Sequence, residues 1–135
     1  MTSDLLGRSY FKKAQTRIKA LQLFMEEKDY SDVVREAQEI VELLLKGVLR
    51  SNGIEPPKLH DVGPLIVEQK EKLSPSQQSE VQKIANISKW LRKEREFSFD
   101  GDIDLIPTEE YTESDAKRAL EDTRFVLEWA QPAFL

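Results

Sequence analysis

Apolar side chains recur along the chain at alternating spacings of three and four residues, which is the pattern of amphipathic helices. This spacing predicts a first helix over residues 4–28 and a second over residues 32–51. Their inner positions are Phe11, Ala14, Ile18, Leu21 and Met25, and then Val34, Ala37, Val41, Leu44 and Val48. Residues 40–49 are apolar almost all round. We therefore expect the second helix at the centre of a bundle or also against another subunit.

The second half of the chain predicts three further helices. A short third helix is expected to open at residues 60–61. Ser74 with Gln77 forms a capping box for a fourth helix, which is predicted to end at about Arg95. The inner positions of that helix are Val81, Ile84, Ser88 and Leu91.

Residues 97–111 are expected to form an irregular acidic loop. Thr112 with Asp115 then caps a fifth helix over residues 113–130. Its inner positions are Ala116, Leu120, Thr123, Leu127 and Ala130. Phe125 and Trp129 fall off this stripe, which favours contact of that face with a second copy of the chain.

These elements predict an all-α fold in a single domain over residues 1–135. A chain of 135 residues is long enough to bury one core without covalent staples. Short connections between long helices favour an up-and-down antiparallel bundle, here with four long helices and a short extra helix.

The composition excludes cysteine-dependent sites, and the short apolar runs argue against a membrane span. The chain has no cysteine, so it contains no disulfide, thiol nucleophile or zinc–thiolate site. Near the start, Leu5-Leu6 is the only aliphatic pair, and no apolar run of the chain exceeds three residues, as at residues 43–45, which is too short to span a bilayer. We therefore expect no signal peptide, no membrane partner and a cytoplasmic location.

The net charge of −5 argues against general, sequence-blind binding of nucleic acid. The charge is unevenly distributed, however. Between Glu96 and Asp115 there are eight acids and no base, whereas the rest of the chain carries 17 acids and 20 bases. A local basic surface outside the acidic segment is therefore compatible with the overall sign.

Two groups of charged residues are candidate binding sites. Arg92 and Arg95 are three residues apart near the predicted end of the fourth helix. They either complement the helix dipole and pair with neighbouring acids, or bind phosphate oxygens. Glu42 and Lys46 have the spacing of an intrahelical ion pair but lie in the most apolar stretch, where charges are paired or line a functional cleft.

Asp100 is the third candidate. With Asp102 and Asp104 it resembles the opening of an EF-hand loop, but Leu105 and Tyr111 stand where that loop needs glycine and glutamate. A solvated acidic loop is the better interpretation. We accordingly expect no metal site and no cofactor.

Histidine and the aromatic residues allow two interpretations each. His60, the only histidine, is either a polar cap of the third helix or a proton donor or phosphate contact. The aromatic residues Trp90, Trp129, Phe97 and Phe99 either pack in the core or against another subunit, or they stack a base.

Several segments follow one another in a familiar order. They are residues 37–49 (AQEIVELLLKGVL), Asn52-Gly53, residues 59–65 (LHDVGPL), residues 91–96 (LRKERE), an FSFDGD turn, a step from Pro107 to Tyr111, and residues 115–120 (DAKRAL). Their order and spacing resemble the HEPN family, named for higher eukaryotes and prokaryotes nucleotide-binding. The resemblance covers nearly the whole chain.

The resemblance implies four long helices with a short extra one, usually as a homodimer. Small prokaryotic members are often paired with a minimal nucleotidyltransferase in toxin–antitoxin or related systems. Many members are metal-independent ribonucleases that carry an arginine and, a few residues later, a histidine at the end of the late helix. Arg92 and Arg95 match the arginine, but no histidine follows them.

Three functions remain open at this point. A nucleotide- or RNA-handling partner protein is the leading one. A ribonuclease would need a non-standard acid–base set, with Arg92 and Arg95 as cations and Glu96 or Asp100 as base. The third is a helical scaffold without ligand.

Overall fold

The computed structural model describes residues 3–58, 61–100 and 111–134, and it describes the backbone alone for residue 3 and residues 95–100. Every regular element in these ranges is helical, which confirms the all-α class. The elements are α1 (Ser3–Glu26), α2 (Tyr30–Ser51), α3 (Gly63–Glu68), α4 (Pro75–Gln78), α5 (Val81–Asp100) and α6 (Glu113–Ala130), with 3-10 turns at Lys70–Lys72 and Gln131–Phe134.

Helix α2 lies at the centre of the bundle. All five of its predicted inner positions are buried, and α1, α5 and α6 each pack along it. Within residues 40–49, seven of the ten side chains or glycines are buried and the other three are half-buried. One chain therefore covers this apolar stretch by itself, without a second subunit.

The α1–α2 hairpin has a close backbone crossing at its open end. A Cβ atom on Gly7 would lie 2.8 Å from the Gly47 carbonyl oxygen, and one on Gly47 would lie 3.2 Å from the Phe134 ring. The Phe134 ring in turn stacks on Phe11, with 4.7 Å between centroids. Absence of a side chain at both glycines allows this packing.

The fourth predicted helix is two helices. The Ser74–Gln77 capping box is present, but α4 stops after one turn and α5 begins at Val81. The Gln77 carbonyl accepts the indole N–H of Trp129 (3.0 Å) and the Glu80 amide three residues on (3.2 Å). The bond from the Glu80 amide closes a 3-10 turn, where the α-helix is interrupted.

Two further sequence expectations need correction. Helix α5 continues to Asp100, so residues 97–100 are helical and not part of an irregular loop. Trp129, expected off the core stripe, is buried and exchanges hydrogen bonds with Gln77, whose amide nitrogen donates to the Trp129 carbonyl.

Helices α5 and α6 run antiparallel, as contacts at their two ends establish. The Gln77–Trp129 hydrogen bonds join α4, which directly precedes α5, to the end of α6. At the opposite end, the Tyr111 hydroxyl donates to the Glu94 carbonyl at 2.8 Å. The chain segment before α6 is thereby held against the second half of α5.

Candidate functional site

Exposed cations follow the second half of α5. Lys89, Arg92 and Lys93 are exposed, whereas Leu91 between them is buried and fixes the helix on α2. None of the three cations forms an ion pair with another described residue. As far as its side chains are described, this face is positively charged, which suits an anion.

Glu94 was one expected partner of these cations. Its carbonyl accepts the Tyr111 hydroxyl, and its Oε2 lies 3.0 Å from the same oxygen. Arg95 and Asp100 continue the α5 backbone, which keeps Arg92 and Arg95 one helical turn apart. The side chains of Arg95 and Asp100 lie outside the described residues.

Glu42 and Lys46 form an ion pair with each other. Their Oε1 and Nζ atoms are 2.9 Å apart, with side chains 12% and 22% exposed. Among the described side chains, neither is paired with Arg92. The arrangement matches the intrahelical pair expected for this spacing, and burial on α2 makes pairing a requirement for both charges.

A cluster of Trp90, Arg118 and Asp122 connects α5 to α6. The Trp90 indole nitrogen donates to Asp122 Oδ2 at 2.8 Å, and the Arg118 guanidinium lies 4.0 Å from the Trp90 ring centroid. Arg118 also approaches Asp122 at 3.8 Å. One face of Trp90 is thus occupied by a cation, so this face is closed to a stacked base unless Arg118 moves.

Phe125 lies on the same side of α6. The ammonium of Lys83 lies 3.8 Å from its ring centroid, so a second aromatic ring between α5 and α6 also carries a cation. Sequence reasoning had not found these pairs. The four-residue spacing of Arg118 and Asp122 was a usable signal, but the contacts of Trp90 and Lys83 cross between helices.

A charged network connects α1 to α2. Arg17 lies 3.8 Å from Glu36 and 3.6 Å from Glu39, while Arg35 reaches Asp32 at 3.4 Å and Glu39 at 3.9 Å. Burial raises the pKa of the Glu36 carboxyl, and the nearby Arg17 charge opposes that rise. Sequence reasoning missed this network because its central cation comes from the neighbouring helix.

Asp29 and Asp32 form a carboxyl pair at the start of α2. A hydrogen bond with the Asp32 side chain raises the pKa of Asp29, and burial adds to the rise. The Ser31 hydroxyl, which donates to Asp29 Oδ1 at 3.5 Å, acts in the opposite direction.

Other candidates lie outside the described residues, namely His60, Asp102, Asp104 and the side chains of Phe97 and Phe99. Within the described ranges, no group of three or more acidic or histidine side chains is arranged to hold a metal ion. Nor does any described helix combine the length and apolarity needed to cross a membrane.

Comparison with known proteins identifies the family. No curated protein matches the sequence. A HEPN domain model matches residues 8–132. The fold is similar to the crystal structure of an archaeal HEPN homologue, with a TM-score of 0.70 and 20% identity over 96% of this chain and 98% of that one. This chain belongs to the HEPN domain family, which points to a nucleotide- or RNA-related function.

Proposed function

We propose that this protein is a nucleotide- or RNA-handling partner protein that binds phosphate groups at the second half of α5. The observation that carries the proposal is the row of exposed cations, Lys89, Arg92 and Lys93, with no acidic partner among the described residues. Cations at the protein surface are usually interspersed with acids, so such a row is available to an external anion.

Arg92 and Arg95 are the proposed phosphate contacts. The guanidinium group presents two parallel N–H donors, which match two phosphate oxygens. Asp100, the third candidate, follows on the same helix. Glu42 and Lys46 are secondary candidates, because their charges already neutralise each other at 2.9 Å.

The proposed activity is binding without fast cleavage. RNA cleavage through the 2′-hydroxyl needs a group that transfers protons as well as a cation. The family's ribonucleases use a histidine shortly after the arginine, but the only histidine here is His60, well before α5. A ribonuclease with a non-standard acid–base set is the second candidate, with Arg92 and Arg95 as its cations.

The proposed partners are a second copy of the chain and a minimal nucleotidyltransferase of a toxin–antitoxin-type system. HEPN domains often dimerise. Burial of α2 and Trp129 within one chain removes most of the apolar surface that had favoured a dimer. The homodimer proposal therefore rests on the frequent dimerisation of HEPN domains. Light scattering at tens of micromolar should report a dimer, and a monomer there would contradict the proposal.

The test is the double variant Arg92→Ala/Arg95→Ala, assayed against nucleotides, short labelled RNA and a co-encoded nucleotidyltransferase. We expect a roughly tenfold or greater loss of affinity for at least one of them, because charge-assisted hydrogen bonds contribute about 1.5–3 kcal/mol. The matched control, Lys70→Ala/Lys72→Ala, removes two exposed cations outside α5 and should leave affinity nearly unchanged.

Two results would contradict this proposal. Unchanged affinity for all three ligands, with helical content intact, would remove the α5 site and favour a scaffold. Rapid RNA cleavage by the unmodified protein that is lost in the double variant would favour the ribonuclease.

A further inference from the structure

Between Leu5 and Met25, the charged side chains of α1 are all positive, with five bases and no acid. Arg8 and Arg17 are engaged by acids. The other three, Lys12, Lys13 and Lys19, are exposed and have no acidic partner within the described part of the chain.

A surface depression marks the centre of this face. It has a volume of about 470 Å³ and is lined by Ser9, Lys12, Lys13, Thr16 and Arg17. The Thr16 hydroxyl donates to the Lys12 carbonyl at 3.3 Å. The Ser9 hydroxyl makes no hydrogen bond with another described residue, so it remains a donor for an anion beside the two lysines.

The exposed face of α6 has a different charge pattern from that of α1. Helix α6 alternates acids and bases, and it pairs Glu113 with Lys117 and Arg118 with Asp122 at four-residue spacing. Such pairing is the ordinary arrangement of a solvated helix face. Among the described side chains of α1, only Arg8 has such a pair, with Asp4, and Lys12, Lys13 and Lys19 depart from the arrangement although the whole chain has a net charge of −5.

We propose that the exposed face of α1 binds the sugar–phosphate backbone of RNA without reading its sequence. Lys12 and Lys19 are two helical turns apart, about 10 Å along the axis, a distance that covers several phosphates of one strand. Lysine suits this role because it contacts phosphate as a point charge in many geometries. The proposal rests on the proposed RNA-related function and adds a second surface to α5.

The experiment measures anisotropy of a labelled, mixed-sequence 20-nucleotide RNA over a series of salt concentrations. For Lys12→Glu/Lys13→Glu in the full chain, we expect affinity at low salt to fall roughly tenfold or more. The slope of log K against log salt should decrease by about one to two, because two phosphate contacts are lost. Lys70→Glu/Lys72→Glu changes the net charge equally and should alter the affinity less than about twofold if only local charge matters.

Several outcomes would overturn the α1 surface. One is an equal loss in both charge-reversal variants, which would indicate only the effect of overall charge. A second is a changed oligomeric state in the α1 variant, which would place the face between two copies. A third is unchanged RNA affinity together with lost binding to phosphatidylserine vesicles, which would assign the face to a membrane surface.

The Arg92→Ala/Arg95→Ala variant separates the two proposals. Lost RNA binding in that variant but not in the α1 variant overturns the α1 surface and leaves the proposed function. Lost binding in the α1 variant alone supports the α1 surface and excludes RNA, but not nucleotides, as a ligand of the α5 site. RNA that fails to bind the unmodified protein at low salt overturns the α1 surface, whereas the α5 site is then tested by nucleotides and the nucleotidyltransferase.

Discussion

The two halves of the α1–α2 hairpin are held together in different ways. At the open end, Gly7 and Gly47 bring the two backbones into contact, and Phe134 closes the crossing. Toward the turn, Arg17 reaches across to Glu36 and Glu39 at 3.6–3.8 Å. We call these the packed half and the charged half.

One pair of helices thus combines contacts fixed by shape with contacts whose strength depends on pH and salt. Contacts in the packed half depend on volume, which neither salt nor pH alters. Contacts in the charged half depend on ionisation and screening, so their contribution varies with the solution. Three substitutions, in order of decreasing expected effect, test this division.

The largest effect is expected for Leu44→Ala, one turn before Gly47 in α2. Leu44 is fully buried, so its truncation should lower the free energy of unfolding by roughly 2–5 kcal/mol. Chemical denaturation measures this change. The control, Glu113→Ala on the exposed first turn of α6, should cost no more than about 0.5 kcal/mol. Equal losses in the two variants would contradict the assignment of helix faces.

Gly7→Ala should have an intermediate effect. Alanine favours a helix over glycine by about 1 kcal/mol, but the new methyl group would meet the Gly47 carbonyl oxygen at 2.8 Å. Moving the α2 backbone away from this methyl group would disturb the packing of the two helices. We therefore expect a net destabilisation of roughly 1–3 kcal/mol in thermal or chemical unfolding. Ser9→Ala, exposed on the same helix, is the control and should be nearly neutral. A stabilised Gly7→Ala variant would mean that the two backbones can accommodate a methyl group at this crossing.

Glu36→Gln should have the smallest effect, with a sign that depends on pH. Burial raises the pKa of Glu36 in the folded state, so the stability contributed by its protonated form is present at low pH. That contribution is lost as pH rises through the folded pKa. Glutamine imitates the protonated form throughout, so the variant should match the unmodified protein in acid and be slightly more stable at neutral pH.

Stability curves from pH 3 to 8 check this prediction. Glu39→Gln is the control, since Glu39 accepts contacts from both Arg17 and Arg35. We expect no gain in stability at neutral pH for that variant. A Glu36→Gln variant that is less stable than the unmodified protein at pH 7 would mean that attraction to Arg17 outweighs burial.

Features that depend on neighbouring residues were predictable from the sequence. Both capping boxes, Ser74 with Gln77 and Thr112 with Asp115, are present as predicted. Helix α2 ends at Ser51, as predicted, and Gly53 just beyond it has the positive φ of 75° that favours glycine. Local hydrogen bonding decides these points, so a short sequence window contains the necessary information.

Features that depend on distant residues were not predictable in this way. At the break after α4, the Gln77 carbonyl accepts the indole N–H of Trp129, which is 52 residues away in the sequence. The helical period does indicate that Arg92 is exposed, since it follows the buried Leu91. The helical period does not reveal contacts between helices. Arg17, Trp90 and Lys83 each contact a partner on another helix, so these contacts could not be predicted from the sequence.

The hydrogen bond between Trp129 and Gln77 has a spectroscopic consequence. Indole emission depends on the polarity around the ring and on the partner of its N–H group. In a Trp90→Phe variant, Trp129 would be the sole indole of the chain, buried and bonded to a backbone carbonyl. Its fluorescence would then report separation of the α4 turn from α6 as a red shift, without an attached dye.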